Sequence, residues 1–303
     1  MICSLTDVKK AKNITGASAH DAELTRLILA AEQFVKDYCW RVFDYEASIT
    51  EFFSVRSRRT NKLLVGRPPI VSISALYDDP LRTYAAGTLV PATDYVIADA
   101  DAGIIELDGY SFNLGLNNIK LVYAGGFQEL AAPAMPTVTP QGTPGSTAYG
   151  YKITAVNNRG ETESSPEGTT ATGNATLNGT NFNRITWTAV AGAIAYRVYK
   201  TTPSGSKGFL RQVPSGTLSY DDNGTAVPDG IDAPSENRSG IPNDLRQAAV
   251  ELVWTARDKG DQALFGVRSK SIADGNIAYL NNDWPAGVAQ VLDFYRMDLR
   301  TSC

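Results

Sequence analysis

Asn118-Ile-Lys-Leu-Val-Tyr-Ala-Gly-Gly-Phe127 reads as a β-strand running into a glycine turn. Ile241-Pro-Asn-Asp-Leu-Arg-Gln-Ala-Ala-Val-Glu-Leu252 reads as the start of a helix, with Pro242 near the first turn, where its missing N–H costs nothing. Joined directly, the two would form a short strand-to-helix connection. Residues of a different texture stand between them instead, rich in Thr, Gly, Ser, Pro and Asn and without a helix-period segment. The expected class is therefore α+β. A helical domain with small β-sheet elements, residues 1–130 and 238–303, is interrupted by an all-β sandwich at 131–237.

The N-terminal flank opens with helix signals. Ser4-Leu-Thr-Asp7 has capping-box character, and Ser18-Ala-His-Asp21 repeats it. Leu24, Leu27, Ile28, Ala31, Phe34, Val35 and Tyr38 then recur at helical spacing, predicting a long helix over 21–40. Period-two patterning follows, with strands expected at 48–55, 62–65, 70–77, 94–98, 103–107 and 119–123. Arg67-Pro-Pro69 marks a kink or an edge. In the C-terminal flank Leu245, Ala248, Ala249, Leu252, Val253 and Ala256 make a buried helical stripe. A hairpin is expected around Asp274-Gly275, and a last helix over 285–297 with Asp283 as its cap. In the middle segment strands are expected at 148–156, 183–189, 194–200, 208–213 and 218–220. Their separation by turn residues favours two packed sheets.

Composition narrows the function. The formal charge is −4, from 28 basic and 32 acidic residues, too small to imply electrostatic capture of nucleic acid or of an anionic membrane. No apolar run is long enough to span a membrane, so no membrane insertion is expected, and the first residues lack the charged start and apolar core of a signal peptide. Cys3, Cys39 and Cys303 have neither metal-ligand spacing nor disulfide density and read as reduced and inert. The single histidine, His20, lies in a helix-capping context, and no Gly-x-Ser-x-Gly elbow exists. Gly205-Ser-Lys-Gly208 lacks the spacing of a phosphate loop, and 99–103 offers too few ligands for calcium. Asp78/Asp79 and Asp221/Asp222 read as turn residues bonding their own backbone. No catalytic residue, metal or cofactor is expected, and a hydrolase reading would rest on carboxylates in turns alone.

Two segments stand out as contact surfaces. Arg56, Arg58, Arg59 and Lys62 form the densest basic cluster, suited to a phosphate backbone or an acidic partner, or else simply a solvated loop; no aromatic lies among them to stack a base. Val267, Arg268, Ser269, Lys270, Ser271, Ile272, Asp274 and Gly275 belong to a segment longer than a helix–helix connection needs. Either it pairs with another chain or it closes as an intramolecular hairpin. Trp187, Tyr196 and Tyr199 alternate along strands and read as core rather than as a sugar platform.

The flanks together resemble the head–tail adaptor (head-completion, or connector) proteins of long-tailed bacteriophages. The resemblance runs through Leu5-Thr-Asp-Val8, the helix Asp21–Arg41 and Arg67-Pro-Pro-Ile-Val-Ser-Ile-Ser-Ala-Leu-Tyr-Asp-Asp79. It continues through Ala86-Gly-Thr-Leu89, Asp94-Tyr-Val-Ile97, Gly103-Ile-Ile-Glu-Leu107 and Ile119-Lys-Leu-Val-Tyr123. It resumes at Ile241-Pro-Asn-Asp-Leu-Arg-Gln-Ala, Gly266-Val-Arg-Ser-Lys-Ser-Ile-Ala-Asp-Gly and Phe294-Tyr-Arg-Met297. No single motif is diagnostic; order and spacing carry the likeness. It implies a non-enzymatic virion protein of the neck, assembled in the host bacterial cytoplasm. The protein would form a ring of its own copies, commonly a dodecamer, beneath the portal protein. That ring would extend the channel for double-stranded DNA and offer a platform for the next head–tail or tail-completion protein. By analogy the segment from Gly266 to the C-terminus, with residues 267–272, Asp274 and Gly275 as candidate contacts, would touch the portal or a subunit, and the loops of the strand region would touch neighbours. Outside 131–237 there are 21 basic and 24 acidic residues, consistent with a channel that does not hold DNA tightly. Within the middle segment, Tyr151-Lys-Ile-Thr-Ala-Val156 and Ile185-Thr-Trp-Thr-Ala-Val-Ala-Gly-Ala-Ile-Ala-Tyr-Arg-Val-Tyr199 resemble fibronectin type III or immunoglobulin-like modules. That likeness implies an exposed decoration or interaction module, with display of a host-surface or glycan-binding module as the alternative.

Overall fold

The computed structural model describes residues 1–259, 267–270, 277–279 and 285–296. The chain divides into two units, one made of Met1–Gln128 and Asn243–Cys303, the other of Glu129–Pro242.

The first unit opens with α1 (Leu5–Lys10), started by a reciprocal capping box between Ser4 and Asp7. Helix α2 (Asp21–Cys39) follows and buries Leu24, Leu27, Ile28, Ala31, Val35 and Cys39 on one face. Six strands come next: β1 (Glu46–Val55), β2 (Lys62–Leu64), β3 (Ile70–Asp78), β4 (Tyr95–Asp99), β5 (Ile104–Leu107) and β6 (Gly115–Gly125). They form two antiparallel sheets, β1-β6-β3 and β2-β5-β4. The sheets share one core that includes Val55, Leu63, Val65, Leu76, Ile105, Leu107, Ile119, Leu121 and Tyr123. Strand β6 ends in the glycine turn expected from its sequence. Gly126 has φ +91°, and a Cβ there would lie 2.4 Å from the Asp44 carbonyl oxygen, so only glycine lets the chain pass.

The second unit carries β7 (Thr137–Gln141), β8 (Thr147–Val156), β9 (Gly168–Gly173), β10 (Phe182–Thr186), β11 (Ala195–Thr202), β12 (Gly208–Pro214) and β13 (Ser219–Asp222). Two antiparallel sheets, β13-β10-β7 and β12-β11-β8-β9, enclose a core built on Tyr149, Tyr151, Ile153, Ile185, Trp187, Tyr196, Val198 and Leu210. An immunoglobulin constant domain has its first, second, fifth and fourth strands in one sheet. Here the first, fourth and seventh strands share a sheet, so the two-layer architecture is present with a different strand order. The two ends of this unit lie side by side: Leu130 N donates to Ser239 Oγ (2.7 Å), and Asn237 Nδ2 donates to Leu130 O (2.8 Å).

The chain returns to the first unit with α3 (Asn243–Lys259), β14 (Val267–Lys270), β15 (Ile277–Tyr279) and α4 (Ala286–Tyr295). Helix α3 packs on α2, α4 and α1. The Trp254 indole N–H donates to Val8 O at 3.0 Å, and the Tyr295 hydroxyl lies 3.0 Å from the Asp244 carboxylate. Among the described residues the mixed α+β class holds, but most elements are strands, so the description of this unit as helical with small β elements is corrected. Beyond its four helices, the paired strands β1, β3 and β6 supply a large part of its core. The expected cap Asp283 lies outside the described residues.

Candidate functional site

The basic cluster occupies the loop between β1 and β2. Arg56, Arg58, Arg59 and Lys62 are all exposed. Lys62 pairs with Glu106 at 3.2 Å, whereas the three arginines make no hydrogen bond or ion pair to another described residue. The loop base is fixed: Phe112 N donates to Thr60 O (2.9 Å), Leu107 N to Asn61 O (2.8 Å), and Asn61 Nδ2 to Glu106 Oε1 (2.9 Å). The structure thus brings three free guanidinium groups together on a tethered tip. Such a tip can meet phosphates or carboxylates without first being released from an internal partner.

The second candidate segment pairs with its own chain. Strand β14 runs antiparallel to β15, with Val267 opposite Tyr279, Ser269 opposite Ala278 and Lys270 opposite Ile277. Of the two alternatives, this is the hairpin closing on itself. Ser271, Ile272, Asp274 and Gly275 lie outside the described residues.

No group of three or more His, Cys, Asp or Glu side chains among the described residues could hold a metal ion, and no described helix is long and apolar enough to cross a membrane. His20 precedes α2, makes no side-chain cap, and sits exposed with Nδ1 3.3 Å from Glu23. Cys3 and Cys39 are buried, which pushes each thiol up to about 12 and leaves little thiolate to react. Asp79 behaves as its turn context predicts, accepting from the backbone of Leu81, Thr83 and Tyr84 and from the Thr83 hydroxyl. Asp222 also accepts from local backbone, Gly224 N donating to Oδ1 at 3.1 Å, but its contacts go beyond those of a turn residue. It closes strand β13 with its carboxylate buried, because Tyr151 and Lys200 from the facing sheet reach it.

Two buried polar constellations escape a motif search. In the first unit the Arg41 guanidinium lies 5.2–6.0 Å from the ring centres of Phe43, Phe127 and Tyr295, and donates to Pro68 O at 2.7 Å. Burial pulls it down to about 10. In the second unit Lys200, Asp222, Tyr151 and Asn183 form a chain of contacts. Tyr151 Oη donates to Asp222 Oδ2 (2.7 Å), Asn183 Nδ2 donates to Tyr151 Oη (2.9 Å), and Lys200 Nζ donates to Asp222 Oδ2 (3.1 Å). Burial and the adjacent Asp222 carboxylate raise the Tyr151 phenol well above its ordinary range. A sequence signal existed: Lys200 falls two and four residues beyond Val198 and Tyr196, in phase with the inward face of its strand. Trp187, Tyr196 and Tyr199 are all buried; Trp187 and Tyr196 belong to the core between the sheets, whereas Tyr199 packs on Phe209 and its hydroxyl donates to Glu161 Oε1 at 2.8 Å.

Neither a family model nor a curated protein sequence matches the chain. Among solved structures it is similar to a chain from a structure described as the neck of an empty GTA particle computed with C6 symmetry. The two are 16% identical, the match covers 42% of this chain and 66% of that one, and the TM-score is 0.30. The match thus spans just under two thirds of that chain's length.

Proposed function

We propose that this chain is a structural, non-enzymatic protein of a phage-type virion neck. Copies of it would form a ring between the portal and the next head–tail or tail-completion protein, around the path of double-stranded DNA. The observation that supports the reading most is where the adaptor-like stretches fall. Those within the described residues lie on or beside α1, α2, β3 to β6, α3, β14 and α4 of one unit, in one order, apart from Ile241 and Pro242 just before α3, although most of residues 129–242 separates them in the chain. A near-balanced charge suits a conduit, since each neutralised phosphate would add to affinity and retard passage. In this reading Arg56, Arg58 and Arg59 meet the channel or an acidic neighbour, and the β14–β15 hairpin meets the portal or an adjacent subunit. The two-sheet unit is an added decoration or interaction module. Its buried aromatics do not favour the glycan-platform alternative. Cryo-electron microscopy of particles carrying a tag on this chain tests the proposal. Density forming a ring at the portal vertex is expected; a location in the capsid shell or at the tail tip would overturn it.

A further inference from the structure

The second unit carries a lysine and an aspartate in a setting unlike an ordinary surface ion pair. Lys200 is 8% exposed and Asp222 is 0% exposed. Lys200 stands on β11 of the four-stranded sheet and Asp222 on β13 of the three-stranded sheet, so their contact bridges the two layers. An ammonium has three donors, yet this one meets a single acceptor, Asp222 Oδ2 at 3.1 Å, and otherwise faces the Tyr149 ring, 4.8 Å from its centre. Beside them Asn183, opposite Asp222 across β10 and β13, keeps a buried side-chain oxygen without any partner. A buried ion pair carries a large desolvation cost that is recovered only with complete hydrogen bonding. Here the bonding is incomplete on the lysine, and an acceptor on the residue paired with Asp222 is unused.

We propose that Lys200 and Asp222 condense to an intramolecular amide that staples the two sheets together. The proton of the ion pair passes from Nζ to Oδ2 along their hydrogen bond, giving a neutral amine and a carboxylic acid. Nζ then attacks Cγ of Asp222. The new C–N bond forms, the Cγ–Oδ2 bond breaks, and Oδ2 leaves with the acid proton and one amine proton as water. Nothing is oxidised or reduced, and no further reactant is needed. Two neighbours fit the step. The Gly224 backbone N–H donates to Oδ1 at 3.1 Å, where negative charge builds in the tetrahedral intermediate. The Tyr151 hydroxyl donates to Oδ2, the departing oxygen, at 2.7 Å. The fold holds amine and carboxyl together permanently, replacing an encounter in solution by a fixed approach. It also keeps out the water that would reverse the reaction. The product has one N–H, and the unpartnered Asn183 oxygen is an acceptor of the kind it requires. This inference does not depend on the neck assignment, because it concerns chemistry inside one unit.

Intact-mass spectrometry of the full chain, compared with folded Lys200→Arg and Asp222→Ala variants, tests it. Wild type is expected to weigh less than its sequence by one water, while both variants keep their full sequence mass. A tryptic digest should yield one branched peptide joining the segments that hold Lys200 and Asp222. A folded wild-type chain at full sequence mass, with fold checked by circular dichroism, would reduce the pair to a buried ion pair and overturn the proposal. Loss of one ammonia instead of one water would also overturn it, by moving the bond from Asp222 to Asn183.

Discussion

Asp21 serves two partners at the start of α2. Its carboxylate accepts from Lys9 Nζ (2.9 and 3.0 Å) and from the Ser18 backbone N–H and hydroxyl (3.2 and 2.8 Å). The hydrogen bond from Lys9, then those from Ser18, hold its pKa down from 3.8 to about 2. A carboxylate with a depressed folded-state pKa contributes stability above its unfolded value and loses it as the pH falls toward its folded one. Asp21→Asn should therefore be less stable than wild type above pH ~5, with the gap closing as pH falls from 3.8 to about 2. Urea titrations at several pH values check this; a gap that does not change with pH would contradict the assignment. Arg41 makes a different point at the same scale. Its guanidinium forms no ion pair with a carboxylate among the described residues and lies against three rings and a carbonyl, so it acts as a flat packing piece whose charge is tolerated beside aromatic faces. Arg41→Ala should cost about 2–4 kcal/mol in thermal or urea unfolding, and Arg41→Lys should recover little of it, since an ammonium lacks the plane that stacks.

Strand β6 shows how one element can tie two neighbours. It is the centre of β1-β6-β3, and Asn118 within it is fully buried. The Asn118 amide donates to Asp78 Oδ1 (3.2 Å) and Asn113 O (2.7 Å), and its oxygen accepts from Val55 N (3.2 Å), so one side chain closes the ends of β1 and β3 onto β6. Asn118→Ala takes this partner from one donor, the Val55 N–H, and from two acceptors, Asn113 O and Asp78 Oδ1, and should destabilise by about 2–4 kcal/mol. Amide exchange should quicken first at the Val55 end of β1; a uniform change would argue against a local tie. Most of this unit's elements were legible in the sequence because their signals are local: a capping box at Ser4, a helical stripe from Leu24 to Tyr38, a glycine turn after β6. The missed strands lacked such signals. β7 carries Pro140 and β9 is Gly-Thr-Thr-Ala-Thr-Gly, and both lie at sheet edges, where proline is tolerated and few apolar side chains are needed. Candidate contacts were legible only as composition. Whether the arginines of the 56–62 loop have partners depends on how β2 and β5 meet, and the Lys200–Asp222 pair depends on two strands in different sheets, which no spacing rule reaches.

At the scale of the molecule, the division at 128/129 and 242/243 makes a stability argument possible. The sheet core of the first unit draws only on residues before 128, and the helices packed against one another come from residues 5–39 and 243–295, so no named core residue of that unit lies in 129–242. The second unit in turn closes its own ends through the Leu130–Ser239 and Asn237–Leu130 hydrogen bonds. An insertion with adjacent ends adds little loop-closure cost to its host, because the host sees only a short bridge. Replacing residues 129–242 by a short Gly-Ser linker should therefore leave a chain that still unfolds in one cooperative transition, with a larger helical contribution per residue in the far-ultraviolet spectrum. The excised unit should fold by itself as an all-β domain. If the shortened chain lost cooperativity while remaining soluble, the two units would have to be treated as one folding entity. In particles, the same deletion separates the roles assigned to the parts. Under the proposed neck function, head–tail joining is expected to persist with the first unit alone, and failure to join would place the second unit within the assembly interface itself.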